Sequence, residues 1–339
     1  MRNKRWISVL LIGCLLLAAA AGCGQSSGEA GQADGDGVVT LKFANSQTPE
    51  ETCSKEIEAF AERVKEKTGG KVVIEVHHNG VLGDDNDALE ACARGANYLT
   101  YVDPAAMCYY VPDYAVMLGP YLFDDIAQIK KLAFSDYGDE MVEKAAEAGI
   151  RVLDHMSSYY GTRVFIGNKP VPTPDEMKGM KVRVPSVPLW IEMLTAMGAN
   201  TTTISFSEVY TALSQGVADG MENPLPAIYA ARFHEVCKYV SETNHIIQPN
   251  GIEMSEAVFQ SLTPEQQKIL EEEAIVFAET VTEKVQEEEK EVREKMTGEG
   301  VEFIACDTDA YRAATESVYQ KFPEWSEGLY DRVTAIIRA

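Results

Sequence analysis

Val38-Val-Thr-Leu-Lys-Phe-Ala44 alternates apolar and polar side chains in the way that a half-buried β-strand does. Residues 50–67 then repeat apolar side chains at helical spacing, and Gly69-Gly70 ends that helix. Val72-Val-Ile-Glu-Val-His77 predicts the next strand, and residues 87–94 predict a second helix. The order β-α-β-α indicates an α/β fold whose strands are largely covered by helices.

The chain is long enough for two lobes. It has 339 residues, of which 45% are hydrophobic, and about 300 of them follow the N-terminal segment described below. A single hydrophobic core rarely serves so many residues. We therefore expect two α/β lobes.

A helical pattern also runs from Thr263 to about Met296, which is long for a globular helix. A coiled coil is the alternative interpretation, but the apolar positions do not keep strict heptads. One long helix laid across a larger body fits better. The apolar positions in question are Ala274, Val276, Phe277, Val281 and Val285.

Three helix starts have the sequence of a capping box, in which a Ser or Thr side chain caps a backbone amide and an acid or amide three residues later returns the bond. The helix that follows the second of them is expected to bury Phe206, Val209, Tyr210 and Leu213 on one stripe. The three starts are Thr173-Pro-Asp-Glu176, Ser205-Phe-Ser-Glu208 and Thr263-Pro-Glu-Gln266.

The N-terminus predicts an exported, lipid-anchored protein. Arg2, Lys4 and Arg5 precede an apolar run over residues 7–21, which is too short to span a membrane. The run ends in Ala18-Ala-Ala-Ala-Gly-Cys23, which resembles the lipobox of bacterial lipoproteins. We expect residues 1–22 to be a cleaved signal peptide, Cys23 to carry lipid, and the polar, Gly-rich residues 23–37 to form a flexible tether to the cell membrane.

The charge balance argues against nucleic acid as a partner. The whole chain carries a net charge of −23, and loss of the three basic residues of the signal would bring it to about −26. Such a field repels phosphate backbones. An anion site would have to be built locally from a few cations.

The cysteines do not predict a full disulfide framework. Five remain beyond Cys14 and Cys23, an odd number without a C-x-x-C pair, so buried thiols are favoured and a single bridge is left open. No zinc-type spacing, phosphate-binding loop or nucleophile elbow occurs, so we expect no metal, no cofactor and no catalytic residues. The five are Cys53, Cys92, Cys108, Cys237 and Cys306.

Arg163 and Arg183 are the candidate cations. Both lie in short β-like runs among apolar residues, where an arginine is unexpected. A guanidinium offers a planar fork of donors that matches a carboxylate at two points, and two forks suit a small anion. The alternative, that each arginine pairs with one of the protein's own acids, stays open on the pattern alone.

Several separate motifs closely resemble the solute receptors of tripartite ATP-independent periplasmic (TRAP) transporters. The resemblance covers essentially all of residues 38–339 and keeps the family's order and spacing. Its motifs are Gly80-Val-Leu-Gly-Asp-Asp85, Met177-Lys-Gly-Met-Lys-Val-Arg-Val-Pro185, Ser205-Phe-Ser-Glu-Val-Tyr-Thr-Ala-Leu-Ser-Gln-Gly216, Ala218-Asp-Gly-Met-Glu-Asn-Pro224 and Thr243-Asn-His245.

The resemblance implies a two-lobe, periplasmic-binding-protein-like fold with hinge strands, a ligand cleft between the lobes and a long helix spanning both. Residues 38–160 and about 249–288 would form lobe I, and residues 161–248 and about 289–339 lobe II. The ligand would stabilise the closed form, which the membrane permease subunits of the transporter recognise.

The resemblance also implies which side chains bind the solute. Arg183 would make the two-point contact with a ligand carboxylate, Arg163 would support the same group and Asn223 would donate its amide to it. Phe206 would form an apolar wall. From the opposite lobe, the polar remainder of the solute would be contacted by Asp84, Asp103 and Ser46.

Carboxylates facing the polar part of the solute would accept hydrogen bonds from its hydroxyls. This favours a hydroxylated sugar acid, such as a uronic or aldonic acid, as the ligand. Two alternatives remain at this stage: a secreted lipoprotein enzyme, such as a glycosidase that uses paired carboxylates, and a binding protein of an ATP-driven importer.

Overall fold

The computed structural model describes residues 37–339. The predicted signal peptide, the lipidation site Cys23 and nearly all of the tether lie outside the described residues. Within residues 37–339 the ten strands are β1 Val39–Ala44, β2 Val72–His77, β3 Tyr98–Val102, β4 Ile150–Val152, β5 Ser158–Gly167, β6 Lys181–Val184, β7 Asn200–Thr203, β8 Gly220–Pro224, β9 Tyr239–Ser255 and β10 Glu302–Ala305.

Thirteen α-helices occur over the same residues, together with four 3₁₀ helices at Ala106–Tyr109, Pro112–Leu118, Phe206–Glu208 and Glu316–Gln320. The α-helices are α1 Thr52–Lys67, α2 Asp85–Ala93, α3 Ala127–Ala133, α4 Asp136–Glu147, α5 Pro174–Met177, α6 Pro188–Ala196, α7 Val209–Ser214, α8 Leu225–Ala230, α9 Phe233–Val236, α10 Glu256–Ser261, α11 Pro264–Gly298, α12 Thr308–Thr315 and α13 Leu329–Arg338.

The strands form one continuous sheet in the order β2-β1-β3-β9-β5-β8-β6-β7, with β4 and β10 also paired to β9. β1 runs parallel to β2 and β3, and β6 runs parallel to β7 and β8. The 17-residue strand β9 pairs with β3 and β4 near its C-terminal end and with β5 along its N-terminal part. Two parallel half-sheets are thus joined by β5 and β9, and the predicted α/β two-lobe fold class is confirmed.

Each half-sheet has its own hydrophobic core. One cluster contains Leu41, Phe60 and Ile252 and defines lobe I. Two clusters on the other side contain residues of β6 and of β8, such as Val182 and Met221, and define lobe II. Separate cores are what a chain of this length needs to bury its apolar side chains.

The C-terminal helix α13 packs in lobe I, because Leu329, Val333 and Ile337 belong to the first cluster. The assignment of residues 289–339 to lobe II therefore does not describe α13. The remaining predicted lobe boundaries stay a prediction. The sequence of α13 does not show which lobe it joins, because its amphipathic face could pack against either core.

The predicted long helix is a single helix, α11, of 35 residues. It opens with the expected capping box, in which Thr263 accepts from the backbone of Gln266 and the Gln266 side chain accepts from the backbone of Thr263. In lobe I, Phe277 packs edge-on against Phe60, with ring centroids 6.3 Å apart. Val292 packs in a lobe II cluster, so α11 spans both lobes.

Two other predicted capping boxes are wrong. Thr173 caps only the amide of Asp175, and Ser205 makes no capping hydrogen bond. The chain after Ser205 starts as a 3₁₀ turn, which aligns its amides differently from an α-helix. The predicted buried stripe on the following helix also fails at Tyr210, which is exposed and donates to Glu235. Each of the five cysteines within residues 37–339 is a free thiol.

Candidate ligand-binding cleft

A cleft of about 260 Å³, with a deeper extension of about 60 Å³, opens between the lobes. It lies beyond the carboxyl ends of β1 and β3 in lobe I and of β6 in lobe II, the usual place for ligands in parallel α/β sheets. All seven sequence-predicted contact residues line it: Ser46, Asp84, Asp103, Arg163, Arg183, Phe206 and Asn223.

A larger groove of about 670 Å³ runs along the outer face of α11. Its Lys130 is exposed and paired with Glu279 at 2.7 Å. Exposed ion pairs of this kind contribute little free energy, because water screens the attraction between their charges. The smaller cleft between the lobes, where the cations are buried, is the better candidate site for an anion.

Arg183 is the available cation of the cleft. Val182 and Val184 point into a lobe II core, so strand alternation places Arg183 on the opposite face of β6. Its side chain is buried, and Nε donates to the carbonyl of Ile204 at 2.8 Å. Among residues 37–339, neither terminal nitrogen of Arg183 has a hydrogen-bond partner. These four N–H donors are free to bind a ligand.

Burial also makes the charged form of Arg183 energetically unfavourable. Loss of water around the guanidinium lowers the pKa of Arg183 to about 10, and the neighbouring Arg163 adds to the effect, while Glu222 and Asp85 oppose it. The group stays charged at neutral pH. A bound carboxylate would replace the missing solvation with two charge-assisted hydrogen bonds.

Arg163, in contrast, is already paired within the protein. Its Nη2 lies 2.7 Å from Oε1 of Glu222 and 2.8 Å from the Glu222 carbonyl, and Nε binds the other carboxylate oxygen. Nη1 donates to the amide oxygen of Gln248. The guanidinium also stacks on the Trp190 ring, 4.4 Å from its centroid. For Arg163, the alternative of an internal ion pair is the one that the structure supports.

The buried carboxylate of Glu222 is held by a second group, His245. Burial opposes ionisation of Glu222, but Arg163 and His245 together keep the pKa of Glu222 below its ordinary value. His245 Nε2 lies 3.2 Å from Oε2 of Glu222, and its Nδ1 lies 2.8 Å from the hydroxyl of Thr243. Burial lowers the pKa of His245, which favours a neutral ring that donates from Nε2 and accepts at Nδ1.

Asn223 and Phe206 flank the arginines. Asn223 lies in β8 opposite Val164 of β5, and its buried side-chain amide has no hydrogen-bond partner among the described residues. The Phe206 ring centroid lies 5.8 Å from Cζ of Arg183 and packs edge-on against Phe233. The result is one polar donor and one apolar wall beside the free guanidinium.

Asp84 faces the cleft from lobe I but serves mainly the helix that follows it. Its Oδ1 accepts from the backbone amides of Asn86 and Asp87 at 3.0 and 3.1 Å, and Asp87 returns the bond as the second half of a capping box. One carboxylate oxygen is thus committed to α2.

Asp85, which the sequence analysis missed, is the acid that turns towards the cleft. Burial, together with the charges of Asp103 and Asp84, raises the pKa of Asp85 to about 7, although Ser46 donates a hydrogen bond to it. A signal was present in the sequence: because Asp84-x-x-Asp87 satisfies a capping box, the adjacent Asp85 is left free for another role.

Residues 43–324 match the DctP family, the bacterial extracellular solute-binding proteins of family 7. The chain belongs to this family. The resemblance to TRAP receptors inferred from the motifs is therefore confirmed.

Relatives of this family 7 protein match over nearly its whole length. A solute-binding protein of Chromohalobacter salexigens is 31% identical over 294 residues, which cover 86% of this chain and 87% of that protein. A TRAP periplasmic solute-binding protein from Ochrobacterium anthropi, solved with bound L-fuconate, is 34% identical with a TM-score of 0.84 and covers 88% of this chain and 99% of that one. A similar protein from Actinobacillus succinogenes, solved with bound L-galactonate, is 32% identical with the same TM-score and coverage.

The deep extension of the family 7 cleft also contains residues that were not among the predicted contacts. Besides Asp85 they are Gln47, Tyr160, Trp190, Gln248 and Asn250. They come from four separate parts of the chain, so that only the strand order brings them together. Within residues 37–339, no group of three or more His, Cys, Asp or Glu side chains is arranged to hold a metal ion, and no helix is long and apolar enough to cross a bilayer.

Proposed function

We propose that this chain captures a hydroxylated sugar acid outside the cytoplasmic membrane and delivers it to the membrane subunits of a TRAP transporter. The observation that carries the proposal is the buried Arg183, whose terminal nitrogens have no partner among the described residues and open into the cleft. A carboxylate is the group that matches this fork at two points.

In this proposal Arg163 stabilises the solute carboxylate through its fixed position and its positive charge, and not through a two-point contact. Because Glu222 and Gln248 hold most of its donors, Arg163 contributes one remaining N–H of Nη1 and a rigid shape beside Arg183. Asn223 adds its amide to the same carboxylate. Phe206 keeps water from the ion pair, which strengthens it.

The acidic side chains of lobe I determine which polar groups the rest of the solute can carry. Ser46, Asp85 and Asp103 face Arg183 across the cleft and form a polar set that accepts hydrogen bonds. Hydroxyl groups donate to carboxylates, whereas a second carboxylate on the solute would be repelled. A polyhydroxylated monocarboxylate satisfies both ends. The two similar receptors solved with L-fuconate and L-galactonate bind solutes of this kind.

Binding and closure would be linked. Arg183 is already buried with its terminal nitrogens unpaired among the described residues, and closing the cleft further without a ligand would also remove the remaining water around the opposite acids. A solute that contacts both lobes therefore favours the closed form by its differential affinity. We infer capture and release without chemical change of the solute.

Attachment to the membrane would come from lipid at Cys23, with residues 23–37 as the spacer. Incorporation of labelled palmitate into the expressed protein, and its loss in Cys23→Ala, would test this part. Equal labelling of both proteins would exclude Cys23 as the anchor.

The solute class is tested by calorimetric titration of a chain that starts after Cys23. We expect sugar acids to bind with micromolar or tighter dissociation constants and the matching neutral sugars not to bind. Recovery of the intact solute by NMR after overnight incubation separates capture from turnover. Binding of neutral sugars alone, or conversion of the solute, would contradict the proposal.

A further inference from the structure

Trp190, in the first turn of α6, has a buried indole N–H without a partner. The side chain is almost fully buried, and Nε1 forms no hydrogen bond with any described residue. Leaving such a donor unpaired in the interior costs about 1–3 kcal/mol. The ring is held in place by Arg163, which stacks on it at 4.4 Å, and the indole lines the deep end of the cleft.

Asp103 of lobe I supplies a complementary acceptor. Its Oδ1 accepts from the backbone amides of Ala105 and Ala106 at 2.8 and 3.0 Å, which leaves Oδ2 as the oxygen not used by the backbone. Asp103 and Trp190 line the same deep extension of the cleft. Burial raises the pKa of Asp103, and this rise is opposed by the amides of Ala106 and Ala105, by the charge of Arg163 and, least, by the donor of the Trp190 indole, which is directed at this carboxylate. A donor on one lobe thus faces an acceptor on the other.

We propose that Trp190 and Asp103 bind one ligand hydroxyl between them, and that this hydroxyl sits on the carbon next to the carboxylate. The hydroxyl would donate to Oδ2 of Asp103 and accept from Nε1–H of Trp190. The inference rests on the proposed function, in which Arg183 holds the carboxylate.

The position of the hydroxyl follows from the neighbours of Trp190. Its ring contacts Arg163, and the same small extension of the cleft is lined by Arg183 and Asn223, the proposed carboxylate partners. A group that reaches Trp190 while the carboxylate occupies Arg183 has to be attached close to that carboxylate. The hydroxyl at position 2 of the acid meets this condition.

The requirement for a hydroxyl at position 2 narrows the class of solute. Open-chain aldonic acids carry a hydroxyl at position 2 that both donates and accepts. A uronic acid in its ring form carries the ring oxygen beside the carboxylate, and this oxygen accepts but has no hydrogen to donate to Asp103. We therefore assign the site to 2-hydroxy sugar acids of the aldonic type.

The test compares matched ligands with matched variants. L-Fuconate and L-galactonate, each with its 2-deoxy analogue, and D-galacturonate are titrated into the wild-type protein. We expect the better aldonate to bind about 100-fold more tightly than its 2-deoxy analogue, because a site built around a hydroxyl leaves its own polar groups unpaired when that hydroxyl is missing. D-Galacturonate should bind at least 10-fold more weakly than that aldonate.

Trp190→Phe keeps an aromatic face for Arg163 and removes the donor. We expect it to reduce the 100-fold preference to below 10-fold while changing the affinity for the 2-deoxy analogue little. Trp325→Phe is the matched control, because Trp325 stacks on Phe322 at 4.7 Å and does not line the cleft. It should keep the full preference.

A second variant covers the case in which Trp190→Phe does not fold. Asp103→Asn preserves an oxygen for the amides of Ala105 and Ala106 but loses the charged acceptor, and it should reduce the same ligand preference. Full preference in either folded variant overturns the inference. Equal binding of aldonates, 2-deoxy analogues and galacturonate by the wild type overturns it as well but leaves the receptor proposal standing, whereas no binding of any sugar acid overturns both.

Discussion

Arg163 and Glu222 form a two-point ion pair at the floor of the cleft, with Nη2 2.7 Å from Oε1 and the carboxylate fully buried. Arg183, on β6 and so two strands away from Arg163 in the sheet, has no such partner. The two arginines that look alike in the sequence therefore differ in their surroundings. One is neutralised by a carboxylate of the protein, and the terminal nitrogens of the other are unpaired among the described residues.

Arg183→Met should abolish binding without weakening the fold. Loss of a two-point, charge-assisted contact costs about 3 kcal/mol or more, which is over 100-fold in affinity. The free energy of unfolding of the apo protein should stay the same or rise by about 1 kcal/mol, because a buried charge without a partner is removed. Calorimetry and urea unfolding measure the two effects. A binding-competent Arg183→Met would exclude Arg183 as the carboxylate ligand.

Glu222→Gln should destabilise the protein strongly. The change leaves the buried guanidinium of Arg163 uncompensated, and removal of one member of a buried ion pair typically costs about 3–5 kcal/mol. Glu242→Gln is the matched control, since Glu242 pairs with the more exposed Arg293 and such a pair contributes about 1 kcal/mol at most. Urea unfolding of both variants tests this difference. Equal losses would show that Glu222 is not needed to balance Arg163.

Asp85→Asn should stabilise the apo protein in a pH-dependent way. The native pKa of Asp85 is about 7 against an ordinary value of 3.8. Between these pH values the folded state keeps a proton that the unfolded state has lost, so wild-type stability falls as the pH rises from about 4 to about 7. The variant lacks this loss, and its advantage should grow by about 3 kcal/mol between pH 4.5 and pH 8, because each unit of pKa difference corresponds to about 1.4 kcal/mol. A constant difference across this range in chemical unfolding would argue against the raised pKa.

Gly161→Ala should destabilise the protein at β5, one of the two strands that join the lobes. Gly161 lies at a register shift between β5 and β9, its φ is +143°, and an added Cβ would come within 2.3 Å of Cβ of Pro224. We expect a loss of about 3 kcal/mol or more in stability, from strain and steric overlap together.

Gly179→Ala is the control for this effect. Its φ is +79°, but nothing lies within 4 Å of the added Cβ, so only the backbone strain of about 1 kcal/mol is expected. Thermal melting of the two variants separates strain from overlap. Similar melting temperatures would mean that the backbone of β5 can shift at Gly161 to accommodate the added Cβ.

The elements predicted most accurately are those with strong local periodicity. β2 was predicted at its observed bounds and β1 to within one residue, and α11 begins at the predicted capping box of Thr263. These features depend on alternation, helical spacing and capping, all of which act over a few residues. Tyr210 failed because its position on a helical stripe did not reveal that solvent, rather than core, covers that side.

The sequence by itself determined the α/β class, the long helix and, through motifs in a fixed order, the family and the set of residues around Arg183. Only the tertiary structure decided that Arg163 is paired with Glu222, 59 positions along the chain, and that Asp84 caps α2 while Asp85 faces the cleft. It also decided that Trp190 and Asp103 line the same part of the cleft. The reason is physical: a hydrogen bond or an ion pair depends on strand order and register, which bring distant residues within about 3 Å, and no local pattern encodes that distance.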